Sequence, residues 1–402
     1  MSDTILRARA SGLLTPSARS DVPPFMVMDV MAAAARIEAA GDHVIHMEVG
    51  QPAASAPKVA IVAAQAALAQ GRIDYTAALG TPTLRARIAR HYREAYGCHV
   101  DAERIVVTTG SSGAFILAFL AMFEPGDRVA VTVPGYPPYR HILTALGCEP
   151  VLIETHSDTR HALTGEALLE AHHKTPLKGV LVGSPANPTG TMMSREALTG
   201  LIAAAESEGI RFISDEIYHG LDYAFPAVTA AELSPNALVI NSFSKYFCMT
   251  GWRVGWMVVP EPLVRSMERL QQNLSISVPT LSQIAAEAAF EGRDEMEAIK
   301  HGYQDNRRIL IAGLPQAGLT EFLPADGAFY LYADVSKFTA DSFDFTRQML
   351  EQAHVAATPG SDFDPIHGRS YVRFSYAQSS ADMHEAVARI SKWLGQGGPK
   401  QG

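Results

Sequence analysis

The spacing of apolar positions changes character along this chain. Through the central half, short runs rich in β-branched residues alternate with longer stretches whose apolar positions recur at helical spacing. The short runs are RIVVTT (104–109), DRVAVTV (127–133), EPVLIET (149–155), GVLVGS (179–184), RFISDE (211–216), ALVINSFS (237–244) and RVGWMVV (253–259). They predict strands. Between them, AFILAFLAMF (114–123), YRHILTALG (139–147, ending at Gly147), GEALLEAHH (165–173) and SREALTGLIAAAESEG (194–209, with Ser194 as its cap) predict helices.

Strands joined by crossover helices imply an α/β fold with a mostly parallel sheet, buried on both faces. Right-handed crossovers place the strand carboxyl ends on one edge, where open α/β sheets bind ligands. The pattern shifts near residue 290. A long helical stretch (291–314) is followed by GAFYLYADV (327–335), a helix near DFTRQMLEQA (344–353), SYVRFSYA (370–377) and a last helix. This predicts a smaller α+β unit, against which the MDVMAAAARIEAAG helix (28–41) packs. The expected division is a large unit of 46–290 and a small one of 1–45 with 291–402.

Composition narrows the function. Of 402 residues, 47% are hydrophobic and 19% charged, enough apolar surface to fold. The 33 Lys and Arg against 42 Asp and Glu give −9, which argues against nucleic acid as a partner. Cys98, Cys148 and Cys248 lie far apart with no CxxC or Cys/His spacing, so free thiols are expected, not a disulfide or metal site. No run approaches the ~20 apolar residues of a membrane span. The N-terminal MSDTILRARASGLL lacks a sustained apolar region and a cleavage site, so a cytoplasmic location is expected. GQGGPKQG (395–402) reads as a frayed tail.

The residues after the strands carry the candidate chemistry. Gly110-Ser111-Ser112-Gly113 opens a helix and is either a phosphate cradle or a serine-capped turn. Tyr136, in a proline-rich loop, either covers a flat ring or packs in the loop. Asn187, between Pro185 and Pro188, has its amide aimed at a ligand or folded into an Asx turn. Asp215 ends its strand among apolar residues; it either pairs with a buried cation or caps a helix. Lys245, among small hydroxyl residues, is a candidate Schiff-base former, and Arg253 eight residues on suits a phosphate; the alternative is two surface cations.

Seven ordered motifs then carry a family: YTAALGTPTLR, TTGSSGA, PGYPPY, SPANPTG, SDEIY, SFSKYFCMTGWRVGW and YVRFSYA, with Asp215 thirty residues before Lys245. They resemble the fold-type I, pyridoxal-phosphate-dependent aminotransferases of the aspartate, alanine and aromatic class, from about Val49 to Arg373. The resemblance implies pyridoxal 5'-phosphate (PLP) as cofactor, an internal aldimine at Lys245, and Asp215 on the ring nitrogen. It places Tyr218 and Asn187 on the phenolic oxygen and Tyr136 over the ring. Ser111, Ser112, Ser242 and Arg253 would hold the phosphate. Tyr75 would reach that phosphate from the other subunit, so a homodimer with shared sites is implied. Arg373 would clamp the substrate carboxylate with help from Asn187 and the Gly50 backbone. The implied activity is amino transfer from an L-amino acid to 2-oxoglutarate or pyruvate by a ping-pong cycle. A C–S β-lyase, or another enzyme using the same Cα carbanion, is the alternative. A DNA-binding regulator is disfavoured, because the segment before residue 45 is short and not basic enough. Two departures concern substrate choice. Gln51-Pro52-Ala53-Ala54 is small and uncharged where many relatives carry an acidic residue and an aromatic. The stretch Gln271–Ser275 lacks the second arginine of one dicarboxylate-reading subgroup.

Overall fold

The computed structural model describes residues 15–399. The N-terminal stretch read for targeting, and the last three residues of the predicted tail, lie outside the described residues. The strands are β1 (Ile45–His46), β2 (Ile105–Thr108), β3 (Arg128–Val133), β4 (Glu149–Glu154), β5 (Gly179–Gly183), β6 (Arg211–Asp215), β7 (Leu238–Ser242), β8 (Gly255–Val258), β9 (Tyr330–Asp334), β10 (Val355–Ala356), β11 (Thr358–Pro359) and β12 (Tyr371–Ser375). A seven-stranded sheet runs β2-β8-β7-β6-β5-β3-β4, a three-stranded sheet runs β11-β12-β9, and β1 pairs with β10.

The large sheet is mixed. Strands β7, β6, β5, β3 and β4 pair in parallel, while β8 is antiparallel to both neighbours, β2 and β7. Its central strands carry apolar residues at adjacent positions because each face feeds a separate core. Val180, Val182, Val239 and Trp256 enter one cluster, and Leu181, Leu238, Ile240 and Met257 enter the other. Helix Gly110–Met122 covers one face against β7 and β8, and helix Arg195–Ser207 packs on β6. Ser194 caps the latter as expected, its hydroxyl accepting from the Ala197 amide at 3.2 Å. Around the small sheet a further apolar cluster joins Phe329, Phe345 and Phe374 to Trp393. Helix Met26–Ala39 packs on helix Ser342–Ala353.

Strand direction positions the site. The carboxyl ends of β2, β3, β5, β6 and β7 share one edge of the sheet. Because β8 runs the opposite way, Arg253, two residues before its start, reaches that edge too. Thr108 and Ser242 both lie opposite Gly255 in the register. Behind this edge Phe243 is fully buried, its ring 5.0 Å from both Phe247 and Trp256 and 5.3 Å from Phe290. Phe243→Ala should therefore lower the unfolding free energy by about 3–5 kcal/mol in a denaturant melt of the cofactor-free protein.

Candidate active site

A cleft of about 240 Å³ opens at the carboxyl edge of the large sheet. Of the predicted site residues, Gly50, Ser111, Ser112, Tyr136, Asn187, Asp215, Tyr218, Lys245, Arg253 and Arg373 all line it. Two do not. Ser242 is buried behind the loop, its hydroxyl donating to the Ser244 hydroxyl (2.9 Å) and the Val254 carbonyl (3.2 Å). Ser244 is the serine that faces the cleft. Tyr75 is 79% exposed and does not line the cleft of its own chain.

Lys245 donates from Nζ to the Gly50 carbonyl at 2.6 Å. Burial, with help from Arg373 and Arg253, lowers its pKa to about 8, while Asp215 opposes the shift. Asp215 moves the other way. Burial raises it to about 6, against the hydrogen bonds from the Tyr139 hydroxyl and the Ile217 amide, so it stays mostly ionised at neutral pH. The Tyr218 and Tyr330 hydroxyls lie 2.7 Å apart.

Arg373 comes from β12, the middle strand of the small sheet. It donates to the Asn187 side-chain oxygen at 2.9 Å, to the Glu48 carbonyl and to Thr358 at 3.2 Å. Its guanidinium packs between Tyr330 and Phe363, 4.4 and 4.6 Å from their ring centres. Its Nε is buried and has no hydrogen-bond partner among the described residues. Across the cleft, helix Gly110–Met122 begins without a side-chain cap, so its first amides point outward unclaimed by side chains. Arg253, at φ 50°, lies so close to Gly110 that a Cβ there would collide with the guanidinium. A Cβ at Gly50 would overlap the Tyr330 hydroxyl.

An uncapped helix start beside one arginine and a buried second arginine make two anion sites in one cleft, with an amine between them. Comparison with known proteins agrees with that chemistry. Residues 42–390 match the family model for aminotransferase class I and II. The chain belongs to that family. It is 48% identical over 380 residues to the valine–pyruvate aminotransferase of Mycobacterium tuberculosis, covering 94% of this chain and 97% of that one. It is 34% identical to the (5-formylfuran-3-yl)methyl phosphate transaminase of Methanocaldococcus jannaschii, covering 92% and 96%. A solved aminotransferase from Mycobacterium tuberculosis superposes with a TM-score of 0.93 at 47% identity, covering 95% and 99%.

The protein is thus a PLP-dependent aminotransferase, and its cleft fits PLP. The uncapped amides at Ser111 and Ser112, with Arg253, suit a phosphate; Asp215 suits a protonated ring nitrogen; Lys245 supplies an amine that is partly neutral near pH 8.

Several lining residues of the aminotransferase were not foreseen. Tyr139 holds Asp215, and Tyr330 both meets Tyr218 and stacks on Arg373. Phe25, Val27 and Met28, at the start of helix Met26–Ala39, form an apolar wall. The Tyr136–Tyr139 spacing on one helix turn was the available signal for Tyr139. Nothing in the spacing pointed to Tyr330. Gln271, in the stretch where one dicarboxylate-reading subgroup carries a second arginine, is buried and ties the Ala78 and Val107 carbonyls together at 2.7 and 2.8 Å.

In PLP-free protein, modification of Lys245 by an amine-selective reagent should rise through about pH 8, well below an ordinary lysine, as mapped by mass spectrometry. The same shift means that the folded state sheds this proton first. The cost of the buried ammonium is present below pH 8 and fades as pH rises toward the ordinary lysine range.

Proposed function

We propose that this aminotransferase moves the amino group of an aliphatic L-amino acid, valine being the model donor, to pyruvate or 2-oxoglutarate. The cycle is of ping-pong type: the keto acid of the donor leaves before the acceptor enters. The observation that carries the reading is the convergence of Lys245, Asp215 and Arg373 in one cleft with the uncapped helix start at Ser111 and Ser112 and with Arg253. PLP, when bound, would supply an electron sink for the charge left when a proton leaves the amino acid's Cα.

The chain's own residues would do the rest. Asp215, ionised and fixed by Tyr139, would hold a proton on the ring nitrogen. Tyr218 and Asn187 would face the phenolic oxygen, and Tyr136 would lie against the ring. Lys245 would carry the cofactor and, once released, move a proton at its Nζ. A pKa near 8 lets that nitrogen serve as base and then as acid. Arg373, with Asn187 and the Gly50 backbone, would grip the substrate carboxylate with the paired donors a planar guanidinium offers. Among the described lining residues of one chain the only cations are Lys245, Arg253 and Arg373, so pyruvate, which has no distal carboxylate, suits this lining better than 2-oxoglutarate. The wall of Phe25, Val27 and Met28 suits an aliphatic side chain, in keeping with the name of the 48%-identical relative.

We further propose the division into units 46–290 and 1–45 with 291–402, and a homodimer in which Tyr75 completes the partner's phosphate site. The exposed apolar side chains Val62, Leu68, Ile73, Ile116, Leu120, Leu274 and Ile276 offer surface for such a contact. A cytoplasmic location agrees with the described helices, none of which is long and apolar enough to cross a membrane.

The deciding experiment is colour. Protein mixed with PLP should turn yellow, L-valine alone should bleach it, and pyruvate should restore it. Keto acid and ammonia accumulating under an unchanged band would make it a lyase instead. Lys245→Ala should abolish exchange while keeping the fold; wild-type turnover in that variant would overturn the assignment. Leu120→Glu combined with Ile276→Glu should convert a dimer to a monomer in sedimentation and weaken PLP retention.

A further inference from the structure

We propose that His219 is a positioning residue that sets the spacing between Asn187 and Tyr218, the two groups assigned above to the phenolic oxygen of PLP. The inference rests on that assignment.

His219 is buried and does not line the cleft; it lines a second cavity behind it, together with Tyr96. Its Nε2 lies 3.0 Å from the Ser184 carbonyl oxygen and its Nδ1 lies 2.9 Å from the Tyr96 hydroxyl. A carbonyl can only accept, so Nε2 carries the hydrogen and Nδ1 accepts from Tyr96. The two bonds fix one neutral tautomer and the plane of the ring. Burial agrees, holding the imidazole down to about 4 and pushing its neighbour Glu216 up to about 8. Glu216 Oε2 also approaches Nδ1, at 3.5 Å, and burial opposes charge on both of these groups.

The two ends of this bridge belong to the two segments that supply the phenolic-oxygen donors. Ser184 leads directly into Pro185-Ala186-Asn187, and His219 directly follows Tyr218. The 184–188 loop has other ties, the Ser184 hydroxyl accepting from the Met193 amide at 3.0 Å and the Ala186 carbonyl from the Gly190 amide at 2.9 Å, but neither reaches the turn after β6. Pro185 and Pro188 have no N–H to give; the Ser184 amide bonds Asp215 at 3.1 Å and the Ala186 amide bonds Thr191 at 2.9 Å. The imidazole is the side chain that joins the loop after β5 to the turn after β6 from behind. Two donors must meet one oxygen atom, and an error of even a fraction of an ångström between their segments lengthens one of the two bonds. Asn187 also accepts from Arg373, so the brace reaches the substrate carboxylate site through one further hydrogen bond.

The test compares two amide replacements of similar polarity. In His219→Gln the amide nitrogen can stand where Nε2 stood and still donate to Ser184. In His219→Asn the side chain is too short for Ser184 but still faces Tyr96. The readouts are the PLP dissociation constant, by absorbance titration of PLP-free protein, and the melting temperature without PLP. The expected result is about tenfold weaker PLP binding for Asn, near wild-type binding for Gln, and similar melting of the two without cofactor. Equal PLP affinity in the two variants, or a loss that simply follows melting of the PLP-free protein, would overturn the proposal. Should neither variant fold, Tyr96→Phe carries the test: it removes the hydroxyl that anchors Nδ1 and leaves the ring held at its Nε2 end alone, and unchanged PLP affinity and substrate KM would refute the brace. Wild-type protein that binds no PLP would instead sink the assignment on which the inference rests.

Discussion

A buried amine held between two guanidinium groups is the arrangement on which the rest of this structure depends. Lys245, Arg253 and Arg373 share a cleft with one lining carboxylate, Asp215. Like charges taken out of water repel strongly, and a free chain would not gather them. Rigid supports hold them in place. Lys245 is tied to the Gly50 carbonyl, Arg253 sits in a left-handed turn beside Gly110, and Arg373 is fixed by carbonyls, a hydroxyl and two aromatic faces. The result is a space whose unmet demand is for negative charge. A phosphate at one end and a carboxylate at the other answer that demand, and the depressed lysine makes proton movement feasible between them.

Much of this was legible in the sequence because the fold obeys a directional rule. Uninterrupted apolar runs between turn residues give strands buried on both faces, and parallel strands must end on one edge. Ser111, Tyr136, Asn187, Asp215 and Lys245 therefore converge without any one of them being informative alone. What escaped reading depends on details that linear spacing does not carry. Ser242 and Ser244 are two positions apart in a tight turn, and hydrogen bonding decides which hydroxyl turns inward. Tyr330 reaches the cleft from the small sheet, a purely tertiary approach. β8 runs antiparallel to β7, and that reversal brings Arg253 to the edge.

The supports also explain which small residues are required. Gly50 and Gly110 are places where backbone must pass close to a functional side chain, Tyr330 in one case and Arg253 in the other. The aromatic packing around Phe243 does the same from behind, leaving the turn that carries Ser244 and Lys245 little room to shift.

The apolar wall has a different origin from everything else in the cleft. Phe25, Val27 and Met28 lie on one short continuous segment, and its entry is held by the Asp362 carboxylate accepting from the Met26 amide at 3.3 Å. None of the residues that would hold the cofactor or move the proton lies on that segment. On the reading proposed for that wall, mutations there can drift without disturbing the buried cations, so ancestry and diet are uncoupled: lineages sharing one reaction centre come to feed on different amino acids by rewriting a few residues on this one segment.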